Sequence, residues 1–286
     1  MLIDFGFDAL NLKPKLAVDS DGKELIEDSH GRVAIFAGYI STENEALEAE
    51  RVLRLLSDKF DLLLLINTGS IRLKIDLPNF YYFHRRNFGR DLASYKYALD
   101  SLNLEKTFEL FLFNDSVLWT ENSIVSTLAN FRRSGFQVTS LTSSEQYSYH
   151  LQSYALHLKG DVSEISKAFS AIRVSNIKRV IVEAGEKRLS QYWIKKEIQV
   201  GSIYTQDSLF LLLAKYKELY GQDYSEITAL VSQGVPLNPS IHFWAPLFGQ
   251  SGVVKKVLMA MNPAQLKYVP KNLKELESKI TLEKLN

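Results

Sequence analysis

Cysteine is absent from all 286 residues, which removes disulfides, thiolate nucleophiles and zinc–cysteine sites at once and fits a reducing compartment. A charge excess of either sign is missing too. The 34 basic and 33 acidic residues leave a net charge of +1 and a pI near 7.8, so no electrostatic pull toward nucleic acid is expected. No apolar run approaches the roughly 20 residues that a bilayer span needs, and stretches such as Leu62–Ile66 are strand-length. The opening MLIDFGFDALNLKPK carries Asp4 and Asp8 and lacks a basic start followed by an apolar stretch, so it does not read as a signal peptide. The sequence signatures of phosphate loops, dinucleotide sites, serine hydrolases and zinc proteases are absent, as are internal repeats. These absences point to a cytoplasmic protein, at most peripheral at the inner face of the plasma membrane.

What is present is ordinary globular composition, 46% hydrophobic and 23% charged. Residues 1–31 mix charge, Gly and Pro and read as an extension before the domain. Residues 32–263 read as one elaborated domain, and 264–286 as a Lys-rich amphipathic tail. That tail either docks on a membrane-bound acceptor or forms a solvated surface helix. Continuous apolar runs predict a strand buried on both faces at 32–38 and a second buried strand at 61–67, and a third and fourth strand are expected at 80–85 and 108–115. Further strands are expected at 136–142 and 150–160, and RVIVE at 179–183 reads as strand-like. Between them lie helical patterns at 43–60 (capped by Thr42), 91–102, 121–134, 161–172, 186–198 and 205–221. This alternation predicts an α/β fold, a three-layer α/β/α sandwich with a mostly parallel sheet. Right-handed crossovers then place the carboxyl ends of the strands on one edge, where ligands bind.

Four polar clusters fall just past the predicted strand ends. In Arg85-Arg86-Asn87-Phe88-Gly89-Arg90-Asp91, Gly89 permits a tight turn, and the following helix start favours an anion such as a diphosphate; Asp91 alternatively caps that helix. Asn114-Asp115-Ser116 follows a buried strand and re-enters an apolar stretch, so Asp115 needs a cation or donors; a divalent metal carrying a diphosphate would serve. Glu183 and Glu186 stand before a helix, where Glu186 is either a general base or a carboxylate that favours the helix dipole. His150 and Gln152 lie in His150-Leu151-Gln152-Ser153-Tyr154, with His150 either structural or a ligand group. His242, beside Phe243 and Trp244, suggests packing or sugar stacking.

The order of these segments resembles the rhamnan synthesis protein F family of glycosyltransferases. The resemblance rests on Asn87, Gly89 and Asp91, on Asn114-Asp115-Ser116, on His150 to Tyr154, and on Asn238-Pro239 followed by Trp244, and it spans about residues 32–263. It implies the glycosyltransferase A-type architecture of nucleotide-diphospho-sugar transferases. By position, Ala37 to Ser41, including Tyr39, and Asn67 would hold the nucleotide, and Asp115 would hold Mg2+ or Mn2+ with the donor diphosphate. This chain has Asn114 and Ser116 around a single Asp where the usual motif has two. Glu186, with Leu189 and Gly201 after it, matches the position of the general base, and Glu183 is the reserve. Arg86 or Arg90 would add charge to the diphosphate, and Asp91 and Asn87 would position nucleotide or sugar. A deoxythymidine-diphosphate rhamnose donor and a cell-surface polysaccharide acceptor follow from the resemblance, not from the chemistry of the residues. Two rivals stand beside this expectation: a non-catalytic nucleotide-sugar or carbohydrate-binding module, and a nucleotidyltransferase using the same edge.

Overall fold

A computed structural model describes residues 31–260. The predicted N-terminal extension, but for Gly31, and the Lys-rich C-terminal tail lie outside the described residues. The frame is a mixed α/β fold whose central, mostly parallel sheet is flanked by helices, compatible with a three-layer sandwich. Four strands, β1 (Arg32–Gly38), β2 (Leu62–Asn67), β3 (Phe80–His84) and β4 (Glu109–Asn114), run parallel in the order β3-β2-β1-β4. Every residue of β2 and β4 is buried, because helices cover both faces of the sheet. A three-residue strand, β5 (Val117–Trp119), lies outside this sheet.

The sheet continues with one reversal. β6 (Val138–Ser144) is followed by the short β7 (His150–Leu151) and by β8 (Ala155–Lys159), and β8 runs antiparallel between β4 and β6. β9 (Val200–Tyr204) adds parallel to β6, and β10 (Val253–Lys255) pairs antiparallel with β5 in a separate two-stranded ribbon. The sequence predicts one strand over 150–160. The structure breaks it at Gln152–Tyr154, so that β7 pairs with the end of β6 and β8 enters the main sheet.

Helices α1 (Glu43–Leu56) and α3 (Glu121–Arg133) pack with Phe36, Phe111, Phe113 and Trp119 on one face of the sheet. Helix α2 (Arg90–Asp100) and the helices between 162 and 195 pack on the other, around Leu92, Tyr95, Phe169 and Trp193. α1 starts as the sequence predicts: Thr42 and Glu45 form a reciprocal capping box. A third apolar cluster gathers the helices from 206 onward, with Phe243 and Trp244 inside it. No helix among the described residues is long and apolar enough to cross a membrane.

One element differs in type from the expectation. The strand-like 179–183 is helical, in Lys178–Ile181 and a π-helical turn Val182–Glu186 that leads into α4 (Lys187–Lys195). The β-branched residues suggest a strand, but the buried positions Ile181, Gly185, Leu189 and Trp193 recur every fourth residue, the helical period. Packing of that stripe overrides local propensity. Gly185 lets Leu92 of α2 pack close, since a Cβ there would push the end of the Leu92 side chain aside.

Candidate functional site

The parallel strands β1, β2, β4 and β6 all end on one rim of the sheet. Because β8 is antiparallel, with Ala155 opposite Phe113, the residues that precede it arrive at the same rim. The β5–β10 ribbon sets Lys255 opposite Val117, beside the loop that leaves β4. These connections surround a cleft of about 790 Å³, within the usual size of a small-molecule site.

Asp91, Asp115 and Glu186 all line this cleft although they are far apart in the chain. A neutral residue, Ser153, ties Asp91 to Glu186. Asp91 Oδ2 accepts Asn114 Nδ2 at 2.5 Å and Ser153 Oγ at 3.2 Å, while Oδ1 takes the Leu92 N–H at 3.1 Å. Asp91 therefore serves its own helix start and the cleft together. Ser153 also donates its N–H to Glu186 Oε1 at 2.7 Å, so one residue bridges two carboxylates. The Ser153 carbonyl accepts the hydroxyl of the fully buried Tyr95 at 3.2 Å, which holds the bridge in place.

Electrostatics distinguish the acids. Burial pushes the Glu186 carboxyl above the usual carboxylate range, against His150 and the Ser153 donors. His150 Nδ1 donates to the Ser148 carbonyl at 2.8 Å, which turns Nε2 toward Glu186 Oε2 at 4.0 Å. Burial also raises Asp115, although the Tyr39 N–H donates to its Oδ2 at 2.5 Å and Lys256 stands nearby. Five basic side chains line the cleft against these three carboxylates, so it suits an anionic ligand.

The other expected residues separate into those at the cleft and those behind it. Tyr39, Asn87, Arg90, Asn114, His150 and Gln152 line it. Gln152 is held by Thr142 Oγ1 at 2.5 Å and donates to Asn238 Oδ1 at 3.2 Å. Asn67 does not line it: fully buried, it accepts the Ile40 and Gly69 N–H groups and donates to the Ile71 carbonyl and the Tyr82 hydroxyl. It holds the loop after β1 rather than meeting a nucleotide. Arg86 is exposed and outside the cleft. Gly89 caps α2 with φ +74°, and its N–H is committed to Asn176 Oδ1 at 2.8 Å, so it shapes the turn and has no donor left for a phosphate. The buried Arg85 stiffens that turn through the carbonyls of Arg86, Phe88 and Arg90. Glu183 is half exposed in an ion pair with Arg179 at 2.8 Å, away from the base position. Gly201 sits in β9, and Phe243 and Trp244 are buried in the third cluster rather than open to a sugar. His242 folds back on Asn238.

Ser116 and Ser153 stood inside the quoted segments without a role of their own, and Lys255 was not among the expected residues. Lys255 Nζ donates to Ser116 Oγ at 3.0 Å and lies 4.0 Å from the centre of the Tyr154 ring. Burial pushes this ammonium down to about 8, against the pull of Asp91, Glu186 and Asp115.

The loop expected to hold a divalent metal offers little to one. Asn114 Oδ1 accepts both the N–H and the hydroxyl of Ser116, at 2.9 and 2.6 Å. Ser116 Oγ is committed to Asn114 and Lys255, and Asp115 Oδ2 to Tyr39. One Asp115 oxygen remains, and among the described residues no group of three or more His, Asp or Glu side chains is arranged to hold an ion. Beside a substrate diphosphate, Mg2+ or Mn2+ needs only one or two carboxylates, and the free Asp115 oxygen could supply one.

No protein-family model matches the chain. Two sequences named virulence protein VirA, both from Vibrio anguillarum and one of strain ATCC 68554 / 775, are 24% identical to it over 263 residues, covering 86% of this chain and 84% of theirs.

Proposed function

We propose that the chain is an inverting glycosyltransferase of the A-type fold, moving a sugar from a nucleoside-diphosphate donor to a glycan or lipid-linked glycan acceptor. The observation that carries this reading is the meeting of Asp91, Asp115 and Glu186 in one cleft at the carboxyl rim of the sheet. Transfer needs a base for the acceptor hydroxyl on one side of the sugar and positive charge for the departing diphosphate on the other. Glu186 is the base: burial makes it a stronger proton acceptor than an exposed carboxylate, and Ser153 fixes one of its oxygens. The acceptor O–H gives its proton to Glu186 as its oxygen bonds the anomeric carbon. The bond from that carbon to the diphosphate breaks, and the nucleoside diphosphate leaves with the electron pair. Asn87, Arg90 and Asp91 position the donor, with Tyr39 at the nucleotide end. The resemblance to rhamnan synthesis protein F selects deoxythymidine-diphosphate rhamnose as the first donor to try and a cell-surface polysaccharide as the product.

A panel of nucleotide-sugars, including that donor, tests the reading by thermal shift and by release of nucleoside diphosphate. A true donor raises the melting temperature, because it binds only the folded state, and is consumed by the wild type. A panel in which no compound shifts the melting temperature or is consumed refutes the proposal. Binding without turnover makes the chain a carbohydrate or nucleotide-sugar module, and release of pyrophosphate makes it a nucleotidyltransferase.

A further inference from the structure

The loop Asn114–Ser116 spends nearly all its oxygens internally, and a lysine ammonium stands against it. Lys255 reaches this place from the far end of the described chain. The β5–β10 pairing fixes its backbone opposite Val117, the Tyr154 ring lies under its ammonium at 4.0 Å, and Ser116 Oγ holds it at 3.0 Å. It shares the cleft with Asp91, Asp115 and Glu186, and Lys178 and Lys256 line it too. Lys256 is already engaged with Glu48 at 2.8 Å. No role for Lys255 in building the core is evident: it caps no helix, and its contacts are those of a side chain held at a chosen point in a cleft.

We propose that Lys255 is the cation that binds the ligand's diphosphate in this cleft, in the place where a divalent metal was expected. The inference rests on reading the cleft as a diphosphate site. An ammonium has three N–H donors: Ser116 takes one, leaving two for phosphate oxygens. A charge-assisted bond in a partly buried cleft is worth more than an exposed one. The same contacts stabilise the diphosphate as it leaves, with no metal needed to neutralise it.

Isothermal titration with inorganic pyrophosphate, uridine diphosphate and deoxythymidine diphosphate tests this, in EDTA and again in Mg2+ or Mn2+, on the wild type, Lys255→Gln and Lys255→Arg. The expected result is metal-free binding by the wild type, at least tenfold weaker binding by Lys255→Gln, and partial recovery in Lys255→Arg. Melting curves establish that both variants are folded. Binding that appears only with metal, binding by Lys255→Gln as tight as the wild type, or no binding of any probe overturns the inference. The two proposals fail separately. Metal-dependent binding with nucleotide-sugar turnover removes the lysine's role and keeps the transferase. Lys255-dependent, metal-free binding without turnover of any nucleotide-sugar keeps the lysine's role and removes the transferase.

Discussion

Replacing Lys255 by methionine should make the unliganded protein more stable at neutral pH, because the fold holds this ammonium at a cost. The group titrates at about 8 in the fold against 10.5 in the free chain. Below pH 8 it is charged in both states, and the difference is worth about 3 kcal/mol against folding, at about 1.4 kcal/mol per pH unit. The attraction of Asp91, Glu186 and Asp115 is already contained in that value, since all three push the lysine back up. Methionine keeps the length and apolar stem but forfeits the cation's contact with Tyr154, about 1 kcal/mol. A net gain of about 2 kcal/mol is expected, or a rise of about 4–8 °C in melting temperature for a chain of this size. The difference changes with pH in a defined way. Between pH 8 and 10.5 the unfolded lysine holds its proton while the folded one releases it, so the wild type gains stability and the difference between the proteins shrinks. Tyr154 stays neutral through this window, because burial pushes its phenol far up. Urea unfolding of both proteins at intervals from pH 7 to 10.5 measures the difference directly. A variant less stable than the wild type at pH 7, or a difference that does not narrow above pH 8, refutes the reasoning.

Glu186→Gln should lower turnover about a hundredfold or more while donor binding is kept. The wild-type rate should climb with pH through a value above the ordinary carboxylate range, since the buried carboxyl must first lose its proton, and this limb should vanish in the variant. Asp115→Asn should lower transfer, because it removes one of the three carboxylates that hold the Lys255 ammonium charged, but leave the fold intact, because the amide oxygen still accepts the Tyr39 N–H; unchanged product formation would remove Asp115 from the mechanism. Gly69→Ala should cost more than about 2 kcal/mol in urea unfolding, because its Cβ would overlap backbone atoms of Ile40, which cannot swing aside. Glu109→Gln should cost about 2–3 kcal/mol at pH 7 by leaving Arg132 and the buried His157 without their carboxylate. Burial alone would raise Glu109, yet the bonds from His157 and Arg132 hold it below its usual range, so the wild type's advantage should fade as acid protonates it.

Much of the frame was legible because continuous apolar runs leave few choices. RVAIFAG, LLLLIN and ELFLFN are buried along almost their whole length, and such strands need helices on both faces. The capping box at Thr42 and Glu45 marks a helix start by chemistry alone. Less legible were elements whose identity depends on distant partners. β5 and β10 have three residues each and exist only because they pair with one another. The segment 179–183 looks extended until Ile181 and Leu189 join the buried cluster that holds Leu92 of α2, with Gly185 against Leu92. The same division runs through the site. Asp91, Asp115 and Glu186 were each marked by standing past an apolar run or before a helix. Ser153 carries no such mark, and Lys255 sits on a strand the sequence does not announce. Asn67, at the end of β2, has the position of a ligand residue but the bonding of a structural one, with all its amide hydrogen-bonding roles turned inward.

The reversed strand has a consequence for charge as well as for topology. In a sheet whose strands all run one way, only residues that follow strands reach the ligand edge. Turning β8 around brings Gln152 and Ser153 there from in front of a strand, between the acids that follow β4 and those that begin α2 and precede α4. Three carboxylates in one partly buried cleft would repel one another and take up protons. Here neutral donors hold them, Asn114 on Asp91, Ser153 on both Asp91 and Glu186, and the Tyr39 N–H on Asp115. Those donors are backbone or short side chains already fixed by Tyr95 and Ser116, so they need no reorganisation when a ligand arrives. What a neutral scaffold of this kind lacks is positive charge. In the described cleft, the ammonium bound directly to this scaffold is Lys255, through Ser116. If β10 is what delivers that charge, a substitution that unpairs the ribbon while sparing the lysine, such as Val254→Pro, should weaken diphosphate binding as much as Lys255→Gln does. Undiminished binding in that variant would show that the lysine is not positioned by its strand.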